Sequence, residues 1–164
     1  MQKEVKNLDA IPFKVADLIK EKKYQLVIAE SITGGDLSAN IVRVPGASDF
    51  FVGGIVAYSN LIKVRECLVN PQTIQRYGAV SAQVTMEMAK GVQHKYQTQI
   101  ALATTGFAGP KREMEKVGLV YITLLIEQQE YSKNFIFSGE RTDIIKQTSF
   151  AALELLRYYL ENFK

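Results

Sequence analysis

Residues 24–29 read YQLVIA and lead directly into ESITGG at residues 30–35, and this junction decides the fold prediction. The short apolar run is typical of a buried strand. The paired glycines indicate a loop, and a helix is expected to continue from it through Asn40 and Ile41. We therefore predict a strand, a polar loop and a helix, in that order, as the first unit of the fold.

Two further apolar runs predict strands of the same sheet, FVGGIVAY at 51–58 and QIALAT at 99–104. Residues 117–126 and 131–137 are expected to form a hairpin, joined by the polar residues 127–130. Helices are predicted near the start of the chain, between the strands and, over 142–159, at its end. Their start signals are Asp9 and Pro12, Ser59-Asn60, Asn70-Pro71 and Ser81. This order predicts an α/β fold in which a mixed sheet lies between helical layers.

The composition excludes several classes of site. The chain has 164 residues with one His and one Cys, so we expect a single domain over residues 1–164, with no internal disulfide and no Cys- or His-based metal centre. The net charge of +3 is too small to indicate nucleic-acid binding. No signal-peptide pattern and no apolar run approaching ~20 residues is present, which predicts a cytoplasmic protein without a membrane contact. Cys67 is expected to be a small buried hydrophobe.

Ser31 is the first candidate for chemistry, because it follows a buried strand and precedes Gly34, Gly35 and a helix. A hydroxyl at such a turn faces substrate, and the N–H groups of Thr33, Gly34 and Gly35 are candidates for stabilising an oxyanion. The surrounding pattern is not GxSxG, so the hydrolase elbow does not match. The alternative is that Ser31 or Thr33 only caps the helix, which is the commoner role for these residue types.

A serine nucleophile needs a base, and the chain offers two candidates. His94, the only histidine, falls on the polar face of its predicted helix and is expected to be exposed. Lys63 follows the second predicted strand and acts as a base only if desolvation or nearby positive charge lowers its pKa. Tyr58 or Asn60 is placed to orient it. The alternative for Lys63 is an ordinary exposed lysine.

Two further segments are candidates for substrate binding. The loop at 105–110, TGFAGP, follows the third strand, and its backbone N–H groups at Thr105, Gly106, Ala108 and Gly109 suit an anion. Arg141 precedes the last helix and suits a phosphate or a carboxylate. The alternatives are a tight connection for the loop and a surface position for the arginine.

Taken together, six segments resemble a known family. They are AESITGG at 29–35, VPGAS at 44–48, GGIVAYSNLIK at 53–63, YGAVS at 77–81, TGFAGP at 105–110 and SGER at 138–141. In this order they are similar to the C-terminal domain of competence/damage-inducible protein CinA, whose stand-alone members act as nicotinamide-nucleotide amidases. The resemblance covers nearly the whole chain.

The resemblance implies a three-layer α/β/α sandwich with a mixed, mostly parallel sheet, assembled as a homo-oligomer. It implies a stand-alone amidase that needs no metal or other cofactor and that hydrolyses nicotinamide mononucleotide (NMN) to nicotinic acid mononucleotide and ammonia. By motif, Ser31 would be the nucleophile and Lys63 the general base. Tyr58 would assist this pair, and Arg141 would support the site or the nucleotide.

The sequence departs from the family pattern at two places. Ile32 stands where members commonly have Cys, and Phe107 stands where they commonly have Ile. The stretch 111–116, KREMEK, replaces a glycine-rich stretch, so the loop is expected to be shortened. These departures leave an alternative open, a catalytically impaired relative that binds a nucleotide or a protein.

Overall fold

A computed structural model of the chain describes residues 10–110 and 116–163. Its strands are β1 (Leu26–Glu30), β2 (Phe51–Val56), β3 (Ile100–Gly106), β4 (Leu119–Ile126) and β5 (Gln129–Ile136). Its helices are α1 (Ile11–Lys22), α2 (Asp36–Val42), α3 (Asn60–Cys67), α4 (Pro71–Tyr77), α5 (Ala82–Tyr96) and α6 (Arg141–Asn162), and a short 3-10 turn covers Ala47–Asp49. Among the described residues, no helix combines the length and apolar composition that a membrane crossing requires.

The five strands form one mixed sheet in the order β2-β1-β3-β4-β5. Strand β1 lies inside the sheet and pairs in parallel with both β2 and β3, whereas β4 runs antiparallel to β3 and β5. The α/β fold with a mixed sheet is therefore confirmed. The carboxyl ends of β1, β2 and β3 meet at one edge of the sheet, where ligands bind in sheets of this kind.

The side chains of β1 alternate between the two faces of the sheet. Leu26 and Ile28 pack in a core with α1, α2 and α6, whereas Val27 and Ala29 pack in a second core with the C-terminal end of α3 and with α5. Because side chains alternate along a strand, both faces of a central strand are buried and the run is apolar throughout. The sheet is the middle of three layers, as the resemblance implied.

Several element boundaries differ from those predicted. The hairpin between β4 and β5 turns over two residues, Glu127 and Gln128, because Ile126 already pairs with Gln129. The prediction of a four-residue connection was wrong, since polar side chains on an exposed edge strand look like a loop in the sequence. Helix α6 begins one residue earlier than predicted and continues three residues further. Asp9 lies outside the described residues, and Pro12 does stand in the first turn of α1.

Candidate active site

Ser31 lies directly beyond the end of β1. Its backbone N–H donates to the carbonyl of Thr104, 3.0 Å away, which continues the pairing of β1 with β3 by one residue. The residue is 8% exposed. Because alternation puts Glu30 on the α2 side of the sheet, Ser31 faces the opposite side, toward α3.

Lys63 reaches the site from α3, which begins after Ser59. The Ser59 hydroxyl caps the helix by accepting the Ile62 N–H at 3.3 Å. Lys63 is only 2% exposed, and its Nζ atom lies 2.8 Å from Ser31 Oγ and 2.6 Å from the Ala57 carbonyl oxygen. The alternative of an ordinary exposed lysine is therefore wrong, whereas His94 is exposed as expected.

Burial lowers the pKa of Lys63 from its ordinary value of 10.5 to about 8, because the charged form is poorly solvated. A neutral amine has two N–H bonds and one lone pair. The carbonyls of Ala57 and Tyr58, at 2.6 and 3.4 Å from Nζ, can accept the two N–H bonds. The lone pair is then left for the hydroxyl of Ser31, which is the arrangement a general base needs.

Tyr58 and Arg141 meet at the mouth of the site. The Arg141 guanidinium donates to the Tyr58 hydroxyl at 3.1 Å and also to the Gly109 carbonyl. The hydrogen bond between Tyr58 and Lys63 is made through the Tyr58 carbonyl, and Tyr58 is 64% exposed. The phenol therefore meets Arg141 in this structure, and the assistance of Tyr58 to the Ser31–Lys63 pair stays a prediction.

A cavity of about 650 Å³ opens above Ser31 and Lys63. Its lining residues come from the segments that follow β1, β2 and β3, from α3, from the connection between α4 and α5 and from the start of α6. They are Ser31, Ile32, Tyr58, Asn60, Lys63, Ala79, Val80, Thr105, Gly106, Phe107, Ala108, Gly109, Pro110 and Arg141. Two of these side chains, Lys63 and Arg141, are basic, and no carboxylate is among the described lining residues. The cavity therefore favours a negatively charged ligand.

The predicted substrate-binding residues divide into two groups. Asn60, Arg141 and the four residues of the glycine loop line the cavity, whereas Thr33, Gly34 and Gly35 do not. The Thr33 hydroxyl is 3.0 Å from that of Thr104, and the Gly35 N–H donates to the Glu30 carboxylate at 3.0 Å. The oxyanion role expected of Gly35 is therefore wrong, because its N–H is already in use. The turn still requires glycine, since φ is 59° at Gly34 and 104° at Gly35.

Some lining residues were missed as site residues. Ala79 and Val80 approach the cavity because the Ala79 carbonyl accepts the Thr105 hydroxyl at 3.0 Å. Small apolar residues of this kind carry no chemical signal of their own, although they belong to the YGAVS segment at 77–81. Glu30 was interpreted only as part of a loop. The replaced stretch at 111–116 lies outside the described residues except for Lys116.

Comparison with known proteins identifies the family. Residues 8–160 match the family model of the CinA C-terminal domain. The CinA-like protein of Dictyoglomus thermophilum is 47% identical over 150 residues, which are 90% of this chain and 36% of that protein. A putative competence-damage inducible protein of Alkaliphilus oremlandii is 46% identical over 145 residues, 87% of this chain and 35% of that protein. The chain thus spans about a third of the length of these curated relatives.

Solved structures agree with the family match. The competence or damage-inducible protein of Enterobacter asburiae has a TM-score of 0.90 and 29% identity, covering 93% of this chain and 98% of its own. The competence damage-inducible protein A of Klebsiella pneumoniae has a TM-score of 0.92 and 26% identity, covering 96% and 99%. With its family match, its relatives and its fold in agreement, the chain belongs to the CinA C-terminal domain family.

Proposed function

We propose that the chain is an amidase that hydrolyses the carboxamide of NMN to nicotinic acid mononucleotide and ammonia through a Ser31–Lys63 dyad. The observation that carries the proposal is the 2.8 Å contact between Lys63 Nζ and Ser31 Oγ at the floor of the cavity. A buried lysine costs folding free energy, so its burial against a hydroxyl needs a compensating role. General base catalysis supplies one, because burial lowers the pKa of Lys63 to about 8, so that part of the amine is neutral at physiological pH.

The reaction proceeds by covalent catalysis. Neutral Lys63 takes the proton of Ser31 as Oγ attacks the amide carbon. The C–N bond then breaks, and Lys63 returns the proton to the leaving nitrogen, which departs as ammonia. Water, deprotonated by Lys63, attacks the acyl-enzyme; the bond to Oγ then breaks, and Lys63 returns the proton to Ser31 as the carboxylic acid is released.

The oxyanion donor that we propose is the backbone N–H of Gly106. In the β3–β4 pairing, the N–H of Phe107 donates to Leu119 and that of Glu127 donates to Gln99. Antiparallel bonds recur at every second residue, so the Gly106 N–H points away from β4, toward the β1 side. Gly106 also lines the cavity that contains Ser31. This replaces the donors expected at residues 33–35.

The charge and shape of the cavity support an anionic aromatic substrate. The Arg141 side chain at the mouth suits the phosphate of a mononucleotide, since guanidinium and phosphate form charge-assisted hydrogen bonds. The rings of Tyr58 and Phe107 belong to the residues that line the same cavity, and they suit a pyridine ring.

The test is ammonia release from NMN by the wild type, Ser31→Ala and Lys63→Ala. We expect turnover by the wild type and its loss by at least about a thousandfold in both variants, as for removal of a nucleophile or its base. An unchanged rate in Lys63→Ala would exclude lysine as the base. Wild-type protein that binds NMN without turnover at high enzyme concentration would favour the alternative of a nucleotide-binding relative.

A further inference from the structure

Glu30 is the last residue of β1 and is completely buried. Its carboxylate accepts four hydrogen bonds from the loop and helix that follow Ser31. Oε2 accepts the N–H groups of Gly35 and Leu37 at 3.0 and 3.1 Å, and Oε1 accepts the N–H of Ser38 at 2.9 Å together with the Ser38 hydroxyl. A buried carboxylate is tolerated when its lone pairs are satisfied in this way.

These contacts fix both ends of the segment that contains Ser31. The Glu30 carbonyl accepts the Ala57 N–H at 2.6 Å, which holds the start of the segment against β2. The carboxylate of the same residue holds its far end, five to eight residues later. Ser31 is therefore confined between two anchors that belong to the residue before it.

The neighbouring strand β2 leaves room for the contact between Ser38 and Glu30. A Cβ atom on Gly54 of β2 would lie 1.9 Å from Ser38 Oγ and 3.6 Å from Glu30 Oε1. Glycine at this position thus permits α2 to approach β2 closely enough for Ser38 to reach Glu30. Three residues on three elements cooperate in one buried contact behind the nucleophile.

We propose that Glu30 is a positioning residue, which holds the Ser31 turn so that Oγ meets the amine of Lys63. This inference rests on the proposed function, because it assigns Glu30 a role in the reactivity of the same serine. Glu30 does not line the cavity. It acts only through the placement of Ser31, and small displacements of a reacting group cost large factors in rate.

The test variant is Glu30→Gln. Glutamine has the same shape, but its NH₂ group faces at least one backbone N–H whichever way the amide is turned, so at least one of the four contacts is lost even if the Ser38 hydroxyl turns to accept from the amide. The readout is the rate at which a fluorophosphonate probe labels Ser31, a reaction in which the Oγ–phosphorus bond forms as the P–F bond breaks and fluoride leaves. We expect labelling to fall about tenfold or more, with NMN turnover falling through kcat and not through KM.

A double-mutant cycle separates positioning from general destabilisation. If Glu30 acts by aligning Ser31 with Lys63, adding Glu30→Gln to Lys63→Ala will leave the labelling rate of Lys63→Ala unchanged. Thr148→Val is the matched control, because it removes another buried polar contact, the 2.6 Å bond to the Ile144 carbonyl, about two turns from Arg141. We expect this control to lower the melting temperature and to leave labelling unchanged.

Each outcome decides something. Unchanged labelling in Glu30→Gln, or the same fall with and without Lys63, overturns the inference. If Glu30→Gln does not fold, Ser38→Ala takes its place, because it removes one of the four contacts. Slower labelling of Ser38→Ala at an unchanged melting temperature supports the inference. Labelling at the wild-type rate overturns it. A wild type that is labelled at Ser31 but releases no ammonia from NMN refutes the proposed substrate and leaves the role of Glu30 standing. A wild type that is neither labelled at Ser31 nor active on NMN refutes both.

Discussion

The amine of Lys63 lies 2.6 Å from the carbonyl oxygen of Ala57, and the N–H of the same Ala57 donates to the Glu30 carbonyl at 2.6 Å. One residue's backbone therefore connects the amine on α3 to the residue that precedes Ser31. Because this connection is made by the backbone, it is independent of the side chain at position 57. It explains how an amine at the end of a flexible four-carbon chain is held in one place beside the serine.

The pH dependence of activity follows from the pKa of Lys63. The base is neutral only above a pKa of about 8, so kcat/KM for NMN should rise with pH and level off above this value. At pH 7 we expect a rate about tenfold below the plateau. The measurement is the initial rate of ammonia release between pH 7 and 9.5, a range above the phosphate titration near about pH 6. A flat profile over this range would contradict the role of Lys63.

The free energy of unfolding should also depend on pH through the pKa of Lys63. A comparison of the wild type with Lys63→Met isolates this dependence. Between the pKa of about 8 in the folded protein and 10.5 in the unfolded chain, the unfolded chain binds more protons at Lys63. The free energy of unfolding of the wild type therefore rises with pH relative to the variant, by about 1 kcal/mol from pH 7 to pH 9. Urea unfolding at pH 7, 8 and 9 measures the difference.

Cys67 is present in both the wild type and Lys63→Met, so the effect of its titration largely cancels from the difference between them. Burial raises the pKa of this thiol from 9.0 to about 11, so it affects stability mainly at higher pH. A wild-type free energy that falls relative to Lys63→Met over the measured range would show that Lys63 is protonated in the folded protein.

Arg141→Lys tests the mouth of the cavity. The guanidinium bridges the Tyr58 hydroxyl and the Gly109 carbonyl, and a lysine ammonium lacks the planar fork that does this. We expect KM for NMN to rise about tenfold, the loss of roughly one charge-assisted hydrogen bond, with a much smaller change in kcat. Steady-state kinetics measure both.

The matched control is Arg65→Lys on α3, because Arg65 is exposed and does not line the cavity. It should leave KM and kcat as in the wild type. An Arg141→Lys enzyme that loses kcat while keeping KM would instead place Arg141 in the chemical step.

Gly91→Ala tests whether the packing of α5 against α3 holds Lys63 in place. A Cβ atom at Gly91 of α5 would lie 1.8 Å from the Cys67 carbonyl oxygen at the end of α3, so the two helices must move apart. We expect a loss of about 1–3 kcal/mol in the free energy of unfolding, as for overpacking in a core, together with lower turnover because Lys63 moves with α3.

Gln83→Ala on the same helix is the control for Gly91→Ala. Gln83 is exposed, so its replacement should change stability by less than about 0.5 kcal/mol. A Gly91→Ala protein with wild-type stability and turnover would show that the approach of α5 to α3 has no part in placing the lysine.

Much of the fold was predictable from local sequence. The apolar runs around β1 and β3 marked buried central strands, since both of their faces are covered. Ser59, Asn70 and Ser81 cap α3, α4 and α5 as predicted, because a capping bond is made within three residues of the cap. The polar edge strand β5 was located less well, because only one of its faces is covered and its start resembles a loop.

The candidate site was predictable in part. Scarcity of imidazole pointed to Lys63, and the motif resemblance paired it with Ser31. The hydrogen-bond partners of the Gly35 N–H and of the Tyr58 phenol were not predictable, because several polar groups compete for each. The Gly35 N–H donates to Glu30 and the Tyr58 phenol meets Arg141, 83 residues away in the chain. Sequence spacing does not reveal which of several partners is nearest.

The sequence by itself determined which residue types are present and where the strands end, and with them the candidates Ser31 and Lys63. Only the tertiary structure decided that these two side chains touch, that Lys63 is buried and that its pKa falls. The physical reason is that desolvation and hydrogen bonding depend on atoms from distant parts of the chain. Their proximity follows from the pairing of β1 with β2 and from the packing of α3 on α5.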